Sequence, residues 1–349
     1  MKTFLKSLVA VAIGLLAAEI LLAVFSFPTG VQLQETDLRT YDDVLVYRLR
    51  PNVILTGKRT PYFVHPEIRI NSLGLRNGES VTPKPAGTFR ILSLGDSYAF
   101  GWGVREDQCY ARRLEASLTR SIGRRIEVIN AGIPSYESWR ELILLGRLRS
   151  TLDPDLVICQ VADNDLGMNG AGRRFLPAWL PAWLMRTLKS SRVLTLVGTL
   201  WSEGLDGARV LRARAGGGDT THPSEEETWD YMRRLAVEND SVFAREVPWT
   251  DVIIENYARM NHLARGSLIC LLLPNRYQIY APDYTDTALN RLATRLERHG
   301  IRTVNCWSSF RERNSEQLSL PDTHPNRAGH KLIADTLAAY LLQSGLLPH

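Results

Sequence analysis

Residues 89–97 read FRILSLGDS, and this stretch decides the fold. Its apolar-rich part, residues 90–94, has the composition of a short buried strand, and the Gly-Asp-Ser that follows is typical of a tight turn. Short apolar segments of this kind recur along the chain, and segments with helical spacing separate them. Tyr110, Leu114 and Leu118, for example, recur every four residues, as they would on one face of a helix.

We predict five strands and five helices in the region that this stretch opens. The strands are expected at 90–94, 126–129, 156–161, 268–273 and 303–306. The helices are expected at 106–120, 137–152, 249–264, 287–299 and 326–342. Alternation of strand and helix favours an α/β fold with three layers, α/β/α, around a parallel five-stranded sheet joined by right-handed crossovers.

Polar residues follow the predicted strands at the points where the strands end. Ser97 follows the first strand, Gly132 the second and Asn164 the third. Asp322 and His324 come after the fifth strand. Because reactive groups in parallel sheets collect beyond the carboxyl ends of the strands, we expect these residues to meet at one edge of the sheet.

Together these residues have the chemistry of acyl-ester cleavage. A serine hydroxyl such as that of Ser97 is a weak nucleophile and needs a base, which His324 can supply if Asp322 orients it. The backbone N–H groups of Ser97 and Gly132 and the side-chain amide of Asn164 can form an oxyanion hole. A Gly-Asp-Ser turn or a loop histidine alone would indicate little, so the prediction depends on the ordered set.

These motifs resemble those of the SGNH hydrolases, also called the GDSL esterase/lipase family. Four of the family's blocks are matched by Leu94-Gly95-Asp96-Ser97, Asn130-Ala131-Gly132, Asp163-Asn164-Asp165 and Asp322-Thr323-His324-Pro325-Asn326. The resemblance covers roughly residues 88–345 and implies a flavodoxin-like sheet, with no metal and no organic cofactor. It implies the nucleophile to be Ser97, the oxyanion donors Gly132 and Asn164, and the base His324.

The sequence departs from the family pattern at three positions. Tyr98 stands where the family has the leucine of GDSL, and Ala162 stands where it has the glycine of the third block. Asp322 lies two residues before His324, where a spacing of three is commonest. Because Pro325 disfavours a helical conformation at His324, we expect an extended or turned segment in which Asp322 and His324 point the same way.

Three functions are open on this evidence. The first is an ester hydrolase that removes acetyl or longer acyl groups from a glycan or lipid. The second is an O-acyltransferase acting on a cell-envelope polysaccharide, which would use the same residues and would fit a membrane acyltransferase as its partner. The third is a non-catalytic, membrane-tethered assembly module on the same fold, and the joint presence of Ser97, Asn164 and His324 argues against it.

The first 27 residues have the features of a membrane anchor. An apolar run at 7–27 follows Lys2 and Lys6, and as a helix it would be roughly 32 Å long, close to the thickness of a bilayer's hydrocarbon core. The two lysines predict a single-pass protein with Met1 in the cytoplasm and the catalytic domain in the periplasm or outside the cell. A cleaved signal peptide and a buried soluble helix are the alternatives.

The predicted organisation has three parts and one insertion. They are the anchor at 1–27, an irregular extension at 28–85, and the hydrolase domain at 86–349 with a helical insertion at about 168–247. The insertion repeats Pro-Ala-Trp-Leu among arginines and lysines, and it can be a helical cap, an interfacial helix on the bilayer or a lid over the active site. Glu19, the only charge in the apolar run, can mark a helix–helix contact or be a tolerated protonated carboxyl.

Composition and charge exclude several classes of protein. With 44% hydrophobic and 23% charged residues, the 349-residue chain is neither mostly disordered, nor collagen-like, nor a multi-span membrane protein. A net charge of +5 without a basic, aromatic-rich stripe makes nucleic acid a poor candidate as partner. The four cysteines have no zinc-ligand spacing and are too few for a disulfide scaffold, although a Cys270–Cys306 bridge is left open.

Overall fold

A computed structural model describes most of the chain as two compact units. The described residues are 2–25, 27, 29, 32, 36–60, 63–78, 82–166, 181–198, 224–245, 248–285 and 288–348. One unit comprises residues 1–50 and 174–222, and the other comprises residues 51–173 and 223–349. The candidate catalytic residues all belong to the second unit.

Strands and helices alternate through the second unit, as the hydrophobic spacing predicts. The strands are β1 (Arg39–Asp42), β2 (Val46–Leu49), β3 (Ile54–Leu55), β4 (Ile68–Arg69), β5 (Phe89–Gly95), β6 (Ile126–Gly132), β7 (Leu156–Val161), β8 (Leu268–Leu272) and β9 (Arg302–Asn305). The helices are α1 (Lys2–Val24), α2 (Ser97–Phe100), α3 (Tyr110–Ile122), α4 (Ser138–Leu152), α5 (Asp163–Leu166), α6 (Ala182–Lys189), α7 (192–198), α8 (Glu225–Arg245), α9 (Pro248–Leu263), α10 (Arg276–Tyr280), α11 (Ala288–Arg298), α12 (Trp307–Glu312) and α13 (Arg327–Gln343).

Strands β5 to β9 form one parallel sheet in the order β6-β5-β7-β8-β9. The predicted α/β fold with a parallel five-stranded sheet is therefore confirmed. In this order β6 and β7 flank β5, and the register pairs Gly95 at the end of β5 with Gly132 at the end of β6. The segments that follow these three strands consequently leave the sheet side by side.

The sheet is buried on both faces, and its side chains alternate between them. Ile91, Ile158 and Ile269 join one buried cluster with residues of α3 and α13. Cys159, next along β7, instead contacts Glu141 of α4. Burial of each isoleucine contributes about 1.5–3 kcal/mol, so two helical layers stabilise the sheet that carries the site.

The first unit contains α1, the antiparallel hairpin of β1 and β2, and helices α6 and α7. α1 is long and apolar enough to cross a membrane by length and composition, with a mean hydropathy of 2.5 over its most apolar window. No part of that window is buried in the protein. An aqueous solvent would disfavour so large an exposed apolar surface.

The structure differs from the sequence-based expectations in detail. The predicted helix at 106–120 begins as a short 3-10 turn at Glu106–Gln108, and α3 begins only at Tyr110. Residues 51–85, which we predicted as part of an irregular extension, belong to the same compact unit as the sheet. All four cysteines are buried and free, so the Cys270–Cys306 bridge is not formed. The first Pro-Ala-Trp-Leu copy, at 177–180, lies outside the described residues.

Candidate active site

Ser97 begins α2, directly after the carboxyl end of β5. The Asp96 carboxylate caps this helix by accepting the N–H of Tyr98 at 2.8 Å. From the neighbouring strand β7, the Oε1 atom of Gln160 accepts the N–H of Asp96 at 3.1 Å and that of Ala99 at 3.2 Å. The serine turn is thus fixed from two sides. We did not predict Gln160, although a single polar residue in an otherwise apolar strand was a usable signal.

Two glycines allow α2 to lie directly against the edge of the sheet. A Cβ on Gly95 would come within 2.6 Å of Gln160 Oε1, and Gly95 also has a positive φ of 144°. A Cβ on Gly132 would come within 2.3 Å of the Phe100 backbone nitrogen. Any larger residue at either position would push the serine turn away from the sheet.

Ser97, His324 and Asp322 come together at this edge. The Nε2 atom of His324 lies 2.8 Å from Ser97 Oγ, which is hydrogen-bond distance for proton transfer. On the other side of the ring, Nδ1 lies 3.2 Å from Asp322 Oδ2. Nδ1 is buried and makes no hydrogen bond to any described residue, so the carboxylate is near the ring without being aligned with its N–H.

A tight turn brings Asp322 and His324 to the same side. Thr323 between them has a φ of 78°, and its N–H donates to the Leu320 carbonyl at 2.9 Å. Leu320 in turn donates its own N–H to the His324 carbonyl at 2.7 Å. The segment is therefore turned and not extended, and the left-handed residue makes up for the short Asp-x-His spacing.

The predicted oxyanion donors are less completely described. The N–H of Gly132 is donated to Asn130 Oδ1 at 3.0 Å, so this donor is occupied in the structure. The backbone of Asn164 lies in α5 at the end of β7, next to β5, and its side chain lies outside the described part of the structure. The roles of Gly132 and Asn164 remain predictions.

Aromatic and histidine side chains line the region around His324. The ring of Tyr98 lies edge-on to the His324 ring, 5.3 Å between centroids, and the ring of Trp102 lies 6.4 Å away. His65 packs against Trp102 at 4.7 Å, and its Nε2 accepts the N–H of Gly103 at 2.9 Å. Burial lowers the pKa of His65 to about 4, which keeps the ring neutral and able to accept this bond.

Arg76 holds the same loop from below. Its guanidinium is fully buried and donates to the carbonyls of Phe100 at 3.0 Å, Gly101 at 2.6 Å and Val104 at 2.7 Å. Residues 100–104 lead directly from α2 to Trp102 beside His324. We therefore assign His65 and Arg76, which the sequence analysis missed as site residues, to the support of this loop.

A buried acidic pair lies on the opposite side of the serine turn. Glu141 of α4 and Asp165 of α5 are both fully buried, and Cys159 Sγ donates to Glu141 Oε2 at 3.0 Å. Burial raises the pKa of Glu141 to about 8, and burial beside Glu141 raises the pKa of Asp165 well above its ordinary value. Asp165 Oδ2 accepts the N–H of Ala162 at 2.9 Å, which fixes the backbone immediately before Asn164.

Within the described ranges, no group of three or more His, Cys, Asp or Glu side chains is arranged to hold a metal ion. The expectation of a cofactor-free reaction stays an expectation.

Comparison with known proteins matches residues 93–332 to the GDSL-like Lipase/Acylhydrolase family. No curated protein matches the chain. Among solved structures, the chain is similar to TesA, with 16% identity and a TM-score of 0.42 over 74% of this chain and 99% of that one. It is similar to the psychrotrophic esterase EstA from Pseudoalteromonas sp., with 16% identity and a TM-score of 0.40 over 73% and 97%. The lipase/acylhydrolase from Enterococcus faecalis has 13% identity and a TM-score of 0.38 over 72% and 95%.

These structural likenesses are too distant to indicate a substrate, and the family match carries the assignment. The matched range covers more than half of the chain and includes both the Ser97 turn and the His324 loop. The chain therefore belongs to the GDSL-like lipase/acylhydrolase family and is a carboxylic ester hydrolase.

Proposed function

We propose that the protein is a membrane-anchored serine esterase that cleaves acyl or acetyl esters of a glycan or lipid outside the cytoplasm. The observation that carries the proposal is the 2.8 Å distance between Ser97 Oγ and His324 Nε2 at the carboxyl edge of a parallel sheet. A nucleophile and a base at this distance have the geometry that acyl transfer through a covalent intermediate needs.

In the first half of the reaction, Ser97 Oγ attacks the ester carbonyl carbon while its proton passes to His324 Nε2. The bond from this carbon to the alcohol oxygen then breaks, and His324 gives the proton to the leaving alcohol. In the second half, a water molecule loses a proton to His324 and attacks the acyl-serine. The carboxylic acid leaves, and the proton returns to Ser97.

Asp322 favours the imidazolium that forms in both halves, because its carboxylate lies 3.2 Å from the Nδ1 atom of His324. The oxyanion is proposed to be held by the Ser97 N–H, the Asn164 amide and the Gly132 N–H. For Gly132 to take part, its N–H must be released by Asn130, which accepts it at 3.0 Å in the resting structure.

The membrane location is proposed from α1 and its flanking charges. Lys2 and Lys6 precede the apolar part of the helix, which favours an orientation with Met1 in the cytoplasm. The second unit, with Ser97, would then lie in the periplasm or outside the cell. Esters of envelope glycans and membrane lipids are the substrates within reach of an enzyme held there.

The proposal is tested with purified full-length protein and p-nitrophenyl acetate. Ser97→Ala is expected to lower turnover on the order of thousands-fold, the loss typical of a triad member. Ser308→Ala, at an exposed position of α12, is the matched control and should retain wild-type turnover. Unchanged turnover in Ser97→Ala would overturn the proposal.

A second arm adds a glycan acceptor to the same reaction. The esterase proposal predicts release of acetate with little acetylated glycan. Acetylated glycan as the main product, formed by the wild type and not by Ser97→Ala, would instead identify an O-acyltransferase that uses the same residues.

A further inference from the structure

The carboxylate of Glu19 in α1 has specific partners at the start of α7. Glu19 Oε1 accepts the N–H of Arg192 at 2.7 Å, and Oε2 accepts the N–H of Val193 at 3.1 Å and the hydroxyl of Ser191 at 3.0 Å. The guanidinium of Arg192 lies 3.6 Å from the same carboxylate. Glu19 thus caps the N-terminus of α7, where backbone N–H groups are unsatisfied by the helix itself.

These contacts compensate a charge that would be costly in lipid. A lone carboxylate within a membrane-spanning segment is strongly unfavourable, and such residues generally face a protein partner. The positive end of the α7 dipole and the Arg192 side chain supply that partner from within the same compact unit. Glu19 therefore marks a helix–helix contact.

The position of Glu19 sets the depth at which α7 meets the anchor. Glu19 lies five residues before Val24, where α1 ends, and this separation is about 8 Å along the helix axis. Arg192 Nε also donates to the Phe27 carbonyl at 2.9 Å, so the guanidinium extends to the level at which the chain has left the helix. A depth of this size is typical of helices that lie in the membrane interface.

The side chains of α6 and α7 fit the same location. Leu194 and Val197, three positions apart on one face of α7, are 45% and 51% exposed, and Trp183 of α6 is 68% exposed. Arg186 and Lys189 of α6 each lie 5.7 Å from the ring of Tyr41 in β1. Aromatic and basic residues beside an unpartnered apolar face are typical of the boundary between lipid tails and headgroups.

We propose that α6 and α7 form an interfacial platform, docked on the anchor through Glu19, whose apolar face at Leu194 and Val197 inserts into the outer leaflet around α1. This inference rests on the proposed membrane anchoring. The occupant of the apolar face is the bilayer, because α7 begins at the depth of a helix that would itself be surrounded by lipid. The platform gives the insertion the interfacial role among the three that its sequence allows.

The test labels single introduced cysteines with an environment-sensitive fluorophore in the full-length chain. The native cysteines are all buried, so the label reports the new site. The variant is V197C, and V237C on α8 is its matched control, since the two valines are 51% and 55% exposed. Protein is reconstituted into phosphatidylethanolamine and phosphatidylglycerol vesicles that contain lipids with a nitroxide quencher near the headgroup.

We expect a several-fold greater loss of fluorescence at position 197 than at position 237. A third variant, L16C within α1, tests the anchoring itself with a quencher placed deep in the acyl chain. Quenching at position 16 without extra quenching at position 197 would overturn the platform and leave the anchor intact. No quenching at position 16 would overturn both.

The Glu19 contact is tested by adding Glu19→Leu to V197C, with Leu15→Ala as the control on the same helix. Loss of the carboxylate removes the acceptor for the N–H groups at 192 and 193, so quenching at 197 should fall toward the V237C level. Leu15→Ala should leave it unchanged. Equal quenching with and without the Glu19 carboxylate would show that this contact does not dock the platform.

Discussion

At Thr323, one left-handed residue solves the geometric problem of a short Asp-x-His spacing. With a φ of 78°, it turns the chain so that the Asp322 carboxylate lies 3.2 Å from His324 Nδ1 while Nε2 faces Ser97. The sequence predicted that Asp322 and His324 would point the same way, and Pro325 limited the segment to extended or turned forms. It did not indicate which, because nothing in the identity of a threonine predicts a positive φ.

The orienting role of Asp322 predicts a graded loss between two variants. Asp322→Asn should impair turnover strongly, approaching a loss of ~10⁴ in kcat, because the wrong ring tautomer is favoured. His324→Ala should lose still more, since no base remains. The pH–rate profiles of both variants are to be measured, with Asp335→Asn on the exposed surface of α13 as the control. Kinetics within a few-fold of wild type in Asp322→Asn would rule out a triad and favour a Ser97–His324 dyad.

At the scale of elements, the segment at 63–78 supports the loop after α2. Its sequence has no periodicity, so it was predicted as part of an irregular extension, although His65 and Arg76 both contact residues 100–104. The fully buried Arg76 was unpredictable for a physical reason. An arginine is rarely buried unless the fold surrounds it with acceptors, and here those acceptors are backbone carbonyls fixed only by the tertiary structure.

Arg76→Met is expected to destabilise the protein markedly. Three buried carbonyls would lose a charged donor, and the loss in free energy of unfolding should be ~3 kcal/mol. The midpoint of chemical denaturation of the purified chain measures this change. Arg69→Met, at an exposed position of β4, is the control and should change the midpoint little. An Arg76→Met midpoint equal to that of the control would contradict the assigned role.

The buried pair of α4 and α5 predicts a dependence of stability on pH. Burial raises the pKa of Glu141 from 4.5 to about 8 in the folded chain, whereas the unfolded chain has the ordinary value. As pH rises through this window, the unfolded state releases a proton that the folded state keeps. The free energy of unfolding therefore falls, and the pKa of Asp165, also raised by burial, adds to the fall.

Glu141→Gln keeps the shape of the side chain and removes its titration. We expect a shallower decline in the free energy of unfolding between about pH 5 and pH 8 than in wild type, since only the Asp165 contribution remains. Glu238→Gln on the exposed face of α8 should keep the wild-type slope. Identical slopes for Glu141→Gln and wild type would show that Glu141 does not hold a proton in the folded chain.

At the scale of the whole molecule, hydrophobic periodicity was sufficient to predict the sheet. Short apolar runs such as 156–161 could only be buried strands, and their alternation with helices such as α13 determined a parallel arrangement. Because the carboxyl ends of such strands share one edge, the meeting of Ser97 with His324 was predictable as well. Gln160 and Glu141 were not predicted, since their roles depend on neighbours distant in sequence.

The membrane topology follows from the same scale. A reporter fused after His349 is expected to be active only in the exported compartment, because Lys2 and Lys6 hold the N-terminus in the cytoplasm. Cytoplasmic reporter activity would contradict the proposed orientation. A mature N-terminus near residue 30 would show cleavage instead, and it would also remove Glu19 and with it the proposed contact to α7.

The central claim is that Ser97 is the nucleophile of an ester hydrolase, and covalent capture tests it most directly. The full-length protein is treated with a fluorophosphonate, digested, and the modified residue is located by mass spectrometry. We predict one phosphonyl group per chain, attached to Ser97 and absent from Ser97→Ala, with much slower labelling in His324→Ala because the base is lost. A label on another residue, or none on a folded wild-type chain, would contradict the account.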